Sequence, residues 1–126
     1  MSFQAILQSI VDESGGGFAG ALMGLDGIAI SQVAASNPPD VRDPLEGDVT
    51  NAGIEFGRIL GDMTEAGDSL GTGSLREVMI SLDRVNLIFH TVDDDLVLVL
   101  ALGPDGNLGK ARYLIRRSLV EIRAEL

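Results

Sequence analysis

The hydrophobic pattern of the chain is densest in its C-terminal half. Residues 96–102 read Leu-Val-Leu-Val-Leu-Ala-Leu, with no polar residue alternating between the apolar ones. A strand of this composition is buried on both faces. Residues 18–25 are nearly as apolar. We therefore expect these two strands to lie side by side at the centre of a sheet whose two faces are both covered by helices.

Two further segments have the spacing of amphipathic helices. In residues 3–13 the apolar side chains fall at i, i+3, i+4, i+7 and i+8, and Ser2 is placed to cap the helix. A second helix is predicted over residues 49–66, because Asp48 stands at its N-cap position and Gly67 at its end. Its predicted core stripe is Val49, Ala52, Gly53, Phe56, Ile59, Leu60 and Met63.

The remaining elements follow from alternation and turn chemistry. Residues 28–34, 74–82 and 85–92 are predicted strands. Asp26-Gly27 is typical of a two-residue hairpin turn, since such turns need positive φ. Asn107 is the predicted N-cap of a last helix that runs to the C-terminus. The core-facing side of that helix is predicted to be Leu108, Ala111, Ile115, Leu119, Ile122 and Leu126.

These elements predict one α+β domain over residues 1–126, with the order α-β-β-α-β-β-β-α. Placing the two most apolar strands next to each other joins a hairpin to a meander and gives a five-stranded antiparallel sheet of order 2-1-5-4-3. Strand 74–82 is then left at an edge. Its unpaired backbone, with Arg76, Val78 and Ile80 along it, invites pairing with another chain.

Composition excludes several classes of function. The chain has no cysteine, so disulfides and thiolate metal sites are excluded, which is consistent with a cytoplasmic location. The formal net charge of −10 argues against a nucleic-acid partner. No apolar run approaches the roughly 20 residues that cross a bilayer, so membrane insertion is not expected. Five of the nine basic residues lie between residues 110 and 123; we favour a basic helix on an acidic body over a phosphate- or lipid-binding helix.

No constellation of residues predicts a catalytic centre, a cofactor or a metal site. The stretch from Gly103 to Lys110 has the wrong spacing for a phosphate-binding loop, and Ala111 stands where a magnesium-binding Ser or Thr is required. Residues 93–95, all Asp, fit a solvated turn better than a calcium loop. His90 is the only histidine, and we expect it to pack across strands rather than act as a base. The expected function is non-enzymatic and carried by surfaces.

The second helix carries the most specific signal. Projected at 100° per residue, it shows a third face, a flank between its core and polar sides, made of Thr50, Ile54, Gly57, Gly61 and Thr64. This face is small and nearly smooth, with Ile54 as its one exposed apolar residue. A glycine inside a helix costs about 1 kcal/mol relative to alanine. Close approach of another backbone would offset this cost. The alternative is that the glycines, above all Gly53, lie over the domain's own sheet.

For Gly57 and Gly61 we favour contact with a second copy of the chain across a two-fold axis. The predicted homodimer interface comprises the helix flank and the edge strand: Thr50, Ile54, Gly57, Gly61, Thr64, Arg76, Val78 and Ile80. Ile54 and Arg58 border this seam and are predicted to bind a further partner.

Three short motifs and the element order carry a family resemblance. The motifs are Leu25-Asp26-Gly27-Ile28 at the first hairpin, Leu70-Gly71 before strand 74–82, and Gly-Asn-Leu-Gly-Lys-Ala-Arg over residues 106–112. With them, almost the whole chain resembles the roadblock family of dynein light chains and the related bacterial MglB-like regulators of small Ras-type GTPases.

The resemblance implies a profilin-like αβα sandwich that dimerises through its second helix and third strand into a continuous sheet. It also implies a regulator or scaffold that binds a small Ras-like GTPase and has no catalytic residue of its own. The connector at residues 35–48 is longer and richer in proline than the family's usual one. Two other functions stay open: a structural adaptor in a larger complex without GTPase action, and a small-ligand sensor or enzyme, which would need a deep polar pocket.

Overall fold

A five-stranded antiparallel sheet lies between two helical layers. The elements of the computed structural model, which describes residues 2–126, are in chain order α1 (Phe3–Glu13), β1 (Gly17–Gly24), β2 (Ala29–Ala34), α2 (Thr50–Leu70), β3 (Glu77–Ser81), β4 (Asn86–Thr91), β5 (Leu96–Leu102) and α3 (Leu108–Ala124). The strand order is β2-β1-β5-β4-β3. The predicted element order, strand order and αβα sandwich are confirmed.

The central strand β5 divides the core into two halves. Its residues Leu98, Leu100 and Leu102 pack with α1 and α3 on one face of the sheet. Val97, Val99 and Ala101 pack with α2 on the other. All six side chains are buried, as expected from the unbroken apolar run. β1 pairs with β5 along its length, so the two most apolar strands are neighbours.

The helices α1 and α3 begin at the predicted caps. The Ser2 hydroxyl accepts a hydrogen bond from the Ala5 amide at 3.2 Å, and the Asn107 side chain accepts one from the Lys110 amide at 3.0 Å. Sequence periodicity was wrong at the end of α3, where Leu126 is 54 % exposed. The helix ends at Ala124, so the helical spacing no longer applies to Leu126.

The first hairpin has a three-residue turn rather than the predicted two-residue one. The Gly24 amide donates to the Ile28 carbonyl at 2.9 Å, which closes the turn around residues 25–27. Among the three turn residues only Gly27 has positive φ, at 89°. The Asp26 carboxylate accepts a hydrogen bond from the Ile28 amide at 3.0 Å, so Asp26 stabilises the turn through its side chain and needs no left-handed backbone.

The bounds of α2 differ from the prediction at both ends. The helix passes through Gly67 and ends at Leu70, where Gly71 takes the left-handed conformation with φ 69°. Glycine ends this helix at position 71, where the backbone is left-handed, and not at Gly67, where the backbone stays helical. At the start, the N-cap position is Val49, although the Asp48 carboxylate still accepts a hydrogen bond from the Thr50 amide at 3.2 Å.

The edge strand β3 is shorter than the predicted strand 74–82. The segment before it lies along β4 through the Thr91 hydroxyl, which donates to the Leu75 carbonyl at 2.7 Å. The Thr91 amide also donates to the Arg76 carbonyl at 2.9 Å.

The proline-rich connector 35–48 is tied to the body at both ends. The Asp12 carboxylate accepts hydrogen bonds from the Ser36 amide at 2.9 Å and the Ser36 hydroxyl at 2.8 Å. These bonds to the charged form lower the pKa of Asp12 below its ordinary value. Further along, Leu45 packs against the core on the α2 side. The connector is therefore part of the folded unit.

Candidate interaction surfaces on α2 and the sheet edge

Helix α2 is packed against the sheet only in its first half. Its buried residues are Ala52, Gly53 and Leu60. Beyond Leu60 every residue up to Leu70 is exposed except the half-buried Gly67. Helical propensity alone does not keep such a segment helical, because helices in proteins are stabilised mainly by packing of their apolar face. The second half of α2 therefore has little to pack on within residues 2–126.

The predicted core stripe of α2 is wrong at two positions. Ile59 is 43 % exposed and Met63 is 41 % exposed. Met63 lies in the half of α2 that has little to pack on, whereas Ile59 lies next to the buried Leu60 but faces solvent. Phe56 is half-buried and its ring centroid lies 5.8 Å from that of Phe89. Together with the exposed Leu70, Ile59 and Met63 form an apolar stripe on the surface.

The three glycines inside the predicted helix have two different environments. A Cβ built on Gly53 would lie 2.1 Å from the Met23 sulfur, so this glycine lets α2 approach its own sheet. The expectation that Gly53 lies over the domain's own sheet is confirmed. A Cβ on Gly57 or on Gly61 would meet no atom within 4 Å. Close packing within the described part of the chain therefore does not account for these two glycines.

A groove of about 610 Å³ separates the second half of α2 from the sheet. It brings together four of the predicted interface residues, two from α2 and two from the strand edge: Gly61, Thr64, Arg76 and Val78. Its floor is mainly apolar and is formed by Leu60, Leu75, Phe89, Leu96 and Val97. The groove is therefore an apolar depression between α2 and the sheet edge.

The other predicted interface residues lie away from this groove. Thr50, Ile54 and Gly57 belong to the first half of α2. Ile54 is 57 % exposed and lies beside the β1–β2 turn, where a Cβ on Gly27 would be 3.4 Å from the Ile54 Cγ1. Arg58 follows one helical turn later and is exposed. On α2 the predicted set thus runs from Thr50 to Thr64 and does not form one compact patch.

The sheet ends at β3 with an open edge. β3 pairs with β4 through Val78↔Phe89 and Ile80↔Leu87, and the sheet has no further strand beyond it among residues 2–126. Val78 and Ile80 are half-buried against the α2-side core. An edge of this kind offers free backbone donors and acceptors to another chain.

A buried carboxylate fixes the edge strand to α3. Glu77 is only 12 % exposed and accepts a hydrogen bond from the Arg112 Nε at 2.5 Å. Its second oxygen lies 3.8 Å from both the His90 Nε2 and the Arg116 Nε. His90 is buried as a packing residue, as expected. Sequence reasoning missed this cluster, because 35 residues separate Glu77 from Arg112 and no local pattern links them.

The remaining candidate features are a metal site, a membrane-spanning helix and the turn before α3. No group of three or more His, Asp or Glu side chains within residues 2–126 is arranged to hold a metal ion. None of the described helices is both long enough and apolar enough to cross a membrane. At the end of β5 the Gly106 amide donates to the Gly103 carbonyl at 2.9 Å, and Asn107 caps α3. This segment is the predicted tight turn into a helix.

The sandwich with α2 alone on one face and an open β3 edge defines a roadblock-type domain. No protein-family model matches the chain, and no protein of curated function matches it. Among solved structures, MglC from Myxococcus xanthus is 34 % identical over 100 % of both chains, with a TM-score of 0.69. The chain belongs to the roadblock family.

Two more distant structures share the fold. A Roadblock/LC7 domain from Streptomyces avermitilis is 17 % identical, with a TM-score of 0.78, over 98 % of this chain and 97 % of that one. MglB in a tetrameric arrangement is 17 % identical, with a TM-score of 0.74, over 91 % of this chain and 80 % of that one.

Proposed function

We propose that the protein is a homodimeric, non-enzymatic regulator or scaffold that binds a small Ras-like GTPase in the cytoplasm and modulates its nucleotide cycle. The observation that carries the proposal is the open surface along α2. Gly57 and Gly61 have no neighbour that explains them, and the helix half that contains Gly61 covers little of its own sheet. Membership of the roadblock family supports the same arrangement.

The proposed homodimer uses α2 and β3 of both copies. Pairing β3 with its copy would satisfy its free backbone groups and continue the sheet across the two-fold axis. The smooth flank at Gly57 and Gly61 would let the two α2 helices approach closely. The proposed interface is Thr50, Ile54, Gly57, Gly61, Thr64, Arg76, Val78 and Ile80.

The proposed GTPase contact is the outer surface of α2 beside this seam. Ile54 is exposed, and Arg58, one turn later, has no carboxylate within 4 Å in the described chain. Arginine is enriched at protein interfaces and among the residues that contribute most to binding. A surface of this kind would act by binding one conformation of the GTPase switch loops better than the other.

The proposal is tested with a purified Ras-like GTPase from the same genome, loaded with a fluorescent GDP or a fluorescent GTP analogue. We expect binding to one nucleotide state and a changed rate of nucleotide release or hydrolysis. Ile54→Ala with Arg58→Ala should weaken binding about tenfold or more, whereas the control Arg84→Ala, away from α2, should not. Binding without any change in the nucleotide cycle would favour the adaptor function. Absence of binding to both nucleotide states would contradict the proposal.

A further inference from the structure

The charges of the chain are segregated. Residues 108–126, which contain α3, hold five basic and two acidic residues, whereas residues 1–107 hold four basic and seventeen acidic ones. A net positive helix therefore lies on a strongly negative body. It packs on the sheet face opposite α2, because its buried side chains belong to the core half that contains α1.

The solvent face of α3 is ordered into three parallel rows. Residues seven apart, two helical turns, stand one above the other on a helix. The middle row is Tyr113 and Val120, which are 60 % and 74 % exposed. One cationic row flanks it on each side: Lys110 and Arg117 on one, and Arg116 and Arg123 on the other. The exposed Glu121 lies one helical turn beyond Arg117, so the first row ends in a negative charge.

Positive charge on this face is available to a partner at Lys110 and Arg117, whereas the Arg116 Nε lies 3.8 Å from a Glu77 carboxylate oxygen. Within residues 2–126 neither Lys110 nor Arg117 has a carboxylate oxygen within 4 Å, although the chain has nineteen acidic residues. Arg117 lies over the Tyr113 ring, 5.6 Å from its centroid, which orients both side chains. The Arg123 Nε donates to the Val92 carbonyl at 3.0 Å and is thereby held in place.

We propose that this face of α3 binds an acidic segment of a partner protein that carries apolar side chains between its carboxylates. Charge complementarity favours that occupant: the two outer rows match carboxylates, and the Tyr113–Val120 row matches an apolar anchor. A short segment touches α3 alone. A nucleic acid or an anionic membrane extends further and would meet the acidic body, which repels it. The proposal does not rest on the GTPase function.

The test uses the full chain and a fluorescein-labelled synthetic peptide in which glutamates are interleaved with leucines. We expect binding by anisotropy that weakens with salt, and amide shift changes in NMR spectra confined to α3. Lys110→Glu with Arg117→Glu should weaken binding about tenfold or more. Arg42→Glu with Arg84→Glu makes the same charge change elsewhere and should leave the affinity within about twofold. Val120→Ser should also weaken it.

Four results would overturn the proposal. They are no peptide binding at low salt, equal binding of a peptide with serine in place of leucine, equal weakening by both charge-reversal pairs, and binding of phosphatidylserine vesicles or duplex DNA in preference to the peptide. Light scattering of the Lys110→Glu, Arg117→Glu variant tests whether the chain self-associates through this face of α3. Loss of self-association there would show that a second copy of the chain occupies the face, which also contradicts the proposal.

Discussion

At the scale of single residues, the glycines of helix α2 have two different structural roles. Gly53 is required by the close approach of Met23, whereas Gly57 and Gly61 face open space. The sequence alone shows three glycines four residues apart, and the spacing does not distinguish these cases. The distinction came from the position of Met23 on β1, which is a tertiary contact.

Gly53→Ala is expected to destabilise the fold. The new methyl group must displace the buried Met23 side chain. Overpacking of this kind costs about 1–3 kcal/mol against a gain of about 1 kcal/mol in helical propensity, so we expect a net loss of up to about 2 kcal/mol. Urea unfolding measures the change. Ser69→Ala, at an exposed position of the same helix, is the control and should change stability by less than about 0.5 kcal/mol. A stabilised Gly53→Ala variant would contradict the packing described here.

Glu77→Gln is expected to lower the free energy of unfolding by about 1–2 kcal/mol, because it removes the charge that Arg112 binds at the sheet edge. Thermal or urea unfolding of the variant checks this. Glu65→Gln, on the exposed side of α2, provides the matched control and should be nearly neutral. Equal stability of both variants would show that the Glu77–Arg112 pair contributes nothing to the fold.

At the scale of elements, much was predictable from sequence. The apolar runs of β5 and β1 predicted the sheet order, because burial on both faces requires a central position. The bounds of α2 and the exposure of Ile59 and Met63 could not be predicted in the same way. They depend on how far a helix follows a sheet, and amphipathic spacing carries no information on that distance. The same holds for the Glu77 cluster.

The connector 35–48 gives a prediction about pH. Hydrogen bonds from Ser36 lower the pKa of Asp12 in the folded state. A carboxyl group with a lowered pKa stabilises the folded state at pH values above its ordinary pKa. This contribution is lost as the pH falls through the pKa of the folded state. Unfolding free energies at pH 6 and pH 3 should therefore differ less for Asp12→Asn than for the natural chain. The control Asp105→Asn should keep the natural difference, and identical profiles for all three proteins would contradict the prediction.

The second half of α2 should be the least protected helical segment when the chain is monomeric. Few contacts hold residues 61–70 to the sheet, so their amides should exchange with solvent before those of α1 and α3. Hydrogen exchange followed over a dilution series measures this. Protection of this segment should rise with protein concentration as copies associate. Protection that is high and independent of concentration would show that the helix is stable by itself.

At the scale of the whole molecule, the fold leaves two surfaces on opposite sides of one sheet. The α2 and β3 side is apolar and rich in small residues, which suits a second copy. The α3 side is basic on an acidic chain, which suits a different partner. A dimer joined at β3 and α2 would bury the first surface and present two copies of the α3 surface, and we infer that such a pair is the working unit of a scaffold.

The most direct test of this account is the mass in solution of the natural chain and of Gly57→Leu with Gly61→Leu, by light scattering. The leucines meet no atom of their own chain at Cβ, so circular dichroism should show a folded protein. We predict a dimer for the natural chain and a monomer for the variant. Gly109→Leu with Ala124→Leu, at exposed positions of α3, should stay dimeric. A monomeric natural chain at high micromolar concentration, or a variant that remains a dimer, would contradict the account.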